Sequence, residues 1–146
     1  MDADSRSKIL IAGGTAAVAV GTYLPWLGTN PELPPDAQIP ILYSPGMGVG
    51  IERFDVALLC AVGLVLLVRA GHRRTVARSA TPLAVGLGTL IFPVYYLSQS
   101  TLTGFSATFV PALGWYLTIT GGALFTVAGG LELQAIVRRP KAIVSP

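Results

Sequence analysis

Apolar residues dominate four long stretches of the chain, with neither the strict alternation of a strand nor the single stripe of a soluble helix. The first, residues 9–27, reads ILIAGGTAAVAVGTYLPWL and carries no charge. The second, 54–70, is shorter and is bracketed by Asp55 and Arg69. The third covers 81–98 and the fourth 109–133. A bilayer core about 30 Å thick needs roughly 20 residues of helix to cross it. Each run therefore predicts a transmembrane helix. Pro82 is expected in the first turn of the third, where a missing N–H does no harm. Pro93 should kink that helix or end it early, and Pro111 falls near the start of the fourth.

The polar residues between the runs set a direction. Arg6 and Lys8 precede the first run, Arg69, Arg73, Arg74 and Arg78 surround the 71–80 loop, and Arg138, Arg139 and Lys141 follow the fourth. Only Arg53 falls in the alternate segments. Short loops rich in Lys and Arg stay cytoplasmic. The expected fold is thus all-α and membrane-embedded: a single four-transmembrane-helix bundle in the cell membrane, with both termini cytoplasmic (N-in/C-in). Trp26, Trp115, Tyr23, Tyr95, Tyr96 and Tyr116 fall at outer ends, where amphipathic rings favour the headgroups. The first run is longer than the apolar core of a signal peptide and is read as a retained helix.

Composition agrees with this layout. Hydrophobic residues make up 52% and charged residues 12%, about half the charge of a soluble domain. The net charge of +3 would suit nucleic acid, but the basic residues sit beside apolar runs instead. Arg69, Arg73, Arg74, Arg78, Arg138 and Arg139 are expected to meet lipid headgroups, so membrane lipids are partners and nucleic acid is not.

Small residues suggest how the helices meet. Gly114, Thr118, Gly122, Thr126 and Gly130 recur at four-residue steps in the fourth run, and Gly13, Ala17 and Gly21 do so in the first. Ala84 and Gly88 give a shorter ridge in the third. Such ridges let backbones approach in lipid. They serve packing within the chain, a homo-oligomer, or a place as subunit of a membrane complex.

The outer loop, residues 28–53, divides in two. Pro31, Pro34, Pro35 and Pro40 make its first part stiff and extended. Residues 39–43 and 49–54 then flank a turn at Ser44, Pro45 and Gly46 and predict a small β-hairpin. GMGVG lacks the spacing and the lysine of a phosphate loop, so its glycines read as turn formers. Glu52, Arg53 and Asp55 form a polar cluster at the outer mouth, either pinning the loop to the helix start or offering a site to a partner or cation.

Catalytic constellations are absent from the pattern. No ionisable residue falls mid-span, where a proton relay would need one. Cys60 and His72 are each single, so no metal or cofactor set is expected. Glu132 reads as a partner of Arg138 or of the inner-loop arginines. The expected function is a non-catalytic multi-pass packing, assembly or accessory subunit. The alternative is a small-solute or ion pore lined by Thr118, Thr120, Thr126, Ser98 and Gln99.

Pro25–Trp26, the Gly46, Gly48, Gly50 and Asp55 approach to the second helix, and Gly114, Trp115, Gly121 and Gly122 resemble small prokaryotic four-helix membrane proteins of unassigned function. That resemblance spans most of the chain and implies the fold but no activity. A claudin-like tetraspan plan is similar in outline, although the paired cysteines of that family's first loop have no counterpart here.

Overall fold

A computed structural model describes residues 3–36, 53–71, 76–98 and 109–138. Within them are helices α1 (Ala3–Tyr23), α2 (Arg53–Ala70), α3 (Val76–Ser98) and α4 (Leu113–Val137), and two short strands, β1 (Leu27–Thr29) and β2 (Phe109–Pro111). Two helical stretches, Val76–Tyr95 and Leu113–Val137, are long and apolar enough to cross a membrane. α1 carries Arg6 and Lys8 in its first two turns, and the 18 residues of α2 include Arg53, Asp55 and Arg69. α3 and α4 carry one charged residue each, Arg78 and Glu132.

Several boundaries differ from the sequence expectation. α1 stops at Tyr23, because the residue before Pro25 is driven out of helical geometry. Residues 109–111, expected inside the fourth helix, instead pair as an antiparallel ladder with residues 27–29, the end of the first apolar run and the start of the outer loop, with Leu27 opposite Pro111 and Thr29 opposite Phe109. Pro111 therefore lies in a strand, and α4 begins only at Leu113. α3 starts five residues early, at Val76, so Pro82 lies in the second turn rather than the first. Pro93 does not end the helix, which runs on to Ser98. Both prolines are fully buried, so their rings fill the interhelical space. The hairpin expected over 39–54 lies mostly outside the described residues.

The helices form a ring in which α4 packs against α1 and α3, and α2 closes the circle against both of them. One row of buried positions on each helix steps by three and four residues alternately. On α1 they are Ser7, Ile11, Gly14, Val18 and Gly21, and on α3 Ser79, Pro82, Gly86, Thr89 and Pro93. α2 buries Asp55, Leu58, Val62 and Val65, and α4 Gly114, Thr118, Gly121, Phe125 and Ala128. This is the 3.5-residue repeat of bundles packed knobs-into-holes.

The expected four-residue ridges survive only in part, for a geometric reason. A step of four residues overshoots a full turn by about 40°. Along α4 the ridge therefore passes from one neighbour to the other. A Cβ on Gly21 would meet Thr118 at 2.6 Å, whereas one on Gly86 would meet Thr126 at 2.5 Å and the Gly122 carbonyl at 2.8 Å. Gly130, at the end of the ridge, faces open space. On α1 the close approach uses Gly14, where an added Cβ would stand 3.1 Å from the Gly121 carbonyl oxygen, while Gly13 is exposed and Ala17 only half-buried. On α3 it uses Gly86; Ala84 is exposed and Gly88 opens on nothing.

These two α3 glycines give a direct test. Alanine favours a helix over glycine by up to about 1 kcal/mol. At Gly88 that gain is free, so Gly88→Ala should hold or raise the melting temperature in detergent. At Gly86 the new methyl meets the Thr126 backbone nitrogen, which cannot yield, and overpacking costs about 1–3 kcal/mol. Gly86→Ala should therefore lower it.

Candidate functional site

The buried stripe of each helix ends in a polar residue at the same end of the bundle. α1 contributes Ser7, α2 Arg69, α3 Ser79 and α4 Glu132. The antiparallel arrangement puts them there, since Gly14 meets Gly121 and Leu83 meets Gly129. Three of these side chains join directly. Arg69 Nη1 donates to Glu132 Oε1 at 2.6 Å, with the two side chains only 10% and 15% exposed. The Ser7 hydroxyl donates to the same oxygen. One carboxylate oxygen thus ties α1 and α2 to α4. It leaves the Arg69 guanidinium half engaged: Nη2 is buried and has no hydrogen-bond partner.

Glu132 thus finds an inner arginine, and the arginine is Arg69 rather than Arg138, which is exposed. Of the other arginines expected at headgroups, Arg78 is half-buried, and Arg73, Arg74 and Arg139 lie outside the described residues. Ser7 escaped the sequence reading. Its signal was the seven-residue spacing Ser7, Gly14, Gly21, which puts a small residue at every second turn of one face.

The opposite end is organised by backbone and aromatic groups. Asp55, in the first turn of α2, is buried, while Glu52 and the Arg53 side chain lie outside the described residues. The indole of Trp26 donates to the Gly21 carbonyl at 3.0 Å and packs edge-on against Phe92. The indole of Trp115 donates to the Pro93 carbonyl at 3.3 Å. α4 has no side-chain N-cap. Its entry is held instead by α1's exit: the Ala112 N–H donates to the Trp26 carbonyl at 2.8 Å and the Gly114 N–H to that of Pro25 at 3.1 Å. A Cβ on Gly114 would fall on the Leu24, Gly21 and Pro25 carbonyl oxygens, the latter two at 2.7 and 2.8 Å.

Among the described residues no group of three His, Cys, Asp or Glu side chains could hold a metal ion. Searches against protein-family models, curated proteins and solved structures find no match to this chain. The inner cluster ties three helices together and presents a guanidinium donor.

The Arg69–Glu132 pair should show the asymmetry of buried ion pairs, in which an orphaned charge costs more than the pair contributes. Removing one partner, as Arg69→Met or Glu132→Gln, is expected to cost roughly 2–4 kcal/mol. The double variant Arg69→Met/Glu132→Leu should recover much of that loss in a denaturant titration of the detergent-solubilised protein.

Proposed function

We propose that this chain is a four-span protein of the cell membrane, with both termini cytoplasmic, serving as a packing, assembly or accessory subunit without catalysis. The observation that carries the reading is how the side chains are sorted. Large apolar side chains are exposed on every helix: Ile9 and Val20 on α1, Leu64 and Leu67 on α2, Leu87 and Ile91 on α3, Val127 on α4. The buried positions hold Ser7, Thr22, Asp55, Ser79, Thr89 and Thr118 and several glycines beside an apolar core of Ile11, Val18, Leu58, Val62, Val65, Phe125 and Ala128. Water would draw the large exposed side chains inward; lipid tails let them stay outside, because apolar surface gains nothing there by hiding. In the two long apolar helices only 28% of the most apolar stretch is buried, whereas the core helix of a soluble protein is mostly buried. At about 1.5 Å per residue, the 21 residues of α1 and 18 of α2 give lengths near that of a bilayer core.

The described basic side chains Arg6, Lys8, Arg69, Arg78 and Arg138 gather at one end and Glu32, Asp36 and Asp55 toward the other, which supports the orientation. A pore is the weaker reading. Thr118, Thr120 and Thr126 each donate their hydroxyl to a carbonyl of their own helix, and Thr120 faces outward. The side chains of Ser98 and Gln99 lie outside the described residues.

Two measurements test the proposal. Alkaline carbonate should leave the chain in the membrane, and a cytoplasm-dependent fluorescent fusion should light up at either terminus. A dark fusion at one end would refute the topology. Cross-linking in native membranes followed by mass analysis should find the chain bound to itself or to another membrane protein. A lone monomer would rule out the assembly role.

A further inference from the structure

The geometry points to a phosphate-binding site at the basic end, in which the free arm of Arg69 takes an anionic oxygen. A guanidinium offers five donors in a planar fork, and a carboxylate commonly satisfies two of them in parallel. Here that arrangement is not made. Glu132 Oε1 accepts from both Nη1 and Ser7, and Nη2 is left aside. A side chain nine-tenths buried, with a charged donor unmatched, is costly unless an acceptor completes it.

The chemistry of that acceptor follows from its surroundings. Glu132 already balances the charge of Arg69, so a neutral oxygen would suffice for Arg69 alone. Arg6, Lys8 and Arg138 are exposed at the same end, however, and Arg78 is half-buried there. Their summed field favours an anion. Arginine's fork matches the tetrahedral oxygens of phosphate better than a point charge does. A phosphate could come from a lipid headgroup or be free in solution. The inference rests on the membrane reading above, which places this end at headgroup depth.

The test uses the full-length protein in mild detergent, observed by native mass spectrometry. The probes are dioleoylphosphatidylglycerol and dioleoylglycerol, which shares the tails and lacks the phosphate. The phospholipid should be retained and the diacylglycerol lost. Arg69→Lys, which keeps the charge but not the fork, should weaken retention by roughly tenfold. Millimolar inorganic phosphate that displaces the lipid would support the site and name free phosphate as a sufficient ligand. No displacement, with the lipid still dependent on Arg69, would support the headgroup as the source. Should Arg69→Lys fail to fold, phosphatidylglycerol with a photoreactive headgroup should label the wild-type peptide containing Arg69. Equal retention of the two lipids, unchanged binding by a folded Arg69→Lys, or labelling confined to other peptides would overturn the inference. Carbonate release of the chain would sink the membrane reading itself; an embedded chain with no phosphate preference would sink only this site.

Discussion

The bundle depends on how closely the backbone of α4 can approach its two neighbours. Gly114 and Gly121 meet α1 and Gly122 and Gly129 meet α3, with distances to any added Cβ at or below about 3 Å at nearly every contact. In lipid this closeness matters more than in water, because no apolar surface is gained by association and dispersion and weak polar contacts must hold the helices together. The threonines fit the same constraint. Thr118 and Thr126 donate their hydroxyls back to the Gly114 and Gly122 carbonyls at 2.9 Å, which satisfies the group within its own helix while each Oγ1 lies against a glycine of the neighbouring helix, Gly21 or Gly86. α2 lacks that kind of contact. Gly63 faces open space, and the helix packs with Leu58, Val62 and Val65 instead.

Polar groups appear at the two ends of this glycine-lined middle. At one end Glu132 gathers Ser7 and Arg69. At the other, Trp26 donates to the Gly21 carbonyl in the last turn of α1, and Trp115 donates across to the Pro93 carbonyl of α3. An ion pair at such a depth contributes less to net stability than to register, since sliding one helix by a turn would strand a charge. Ser7 has no charge to lose, yet it is fully buried. Its short side chain admits the Glu132 carboxylate where a larger residue would not.

The helices themselves were legible in the sequence because their apolar runs are long and bounded by charge. The ends were not, since apolar content cannot distinguish a helix turn from the strand at 27–29 or at 109–111. Proline misled in both directions. Pro25 ended a helix earlier than the apolar run did, while Pro82 and Pro93 sat within one. The packing faces were half visible. Gly21, Gly114, Thr118, Gly122 and Thr126 stand at close approaches, but a four-residue period drifts around the helix and picked Gly13 over Gly14 and Gly88 over Gly86. Reading the same residues with a 3.5 period would have found Gly14, Gly86 and Ser7 together. That period was obscured because on α1, α3 and α4 many of the repeating residues are Gly, Ser, Pro and Thr rather than the leucines that usually announce it.

The joint between α1's exit and α4's entry bears on how the chain reaches this state. The carbonyls of Trp26 and Pro25 receive N–H groups from residues 112 and 114, which are among the last parts of the bundle to be synthesised. A nascent chain holding only three helices would leave the Gly14–Gly21 groove unfilled and those carbonyls without their donors. Assembly from the ribosome cannot then finish helix by helix. The contact between α1 and α4 can form only once α4 has been made, and its long sequence separation is of the kind that slows folding. Until then, the open α1 groove is the part of the chain most exposed to quality control or to a substitute partner.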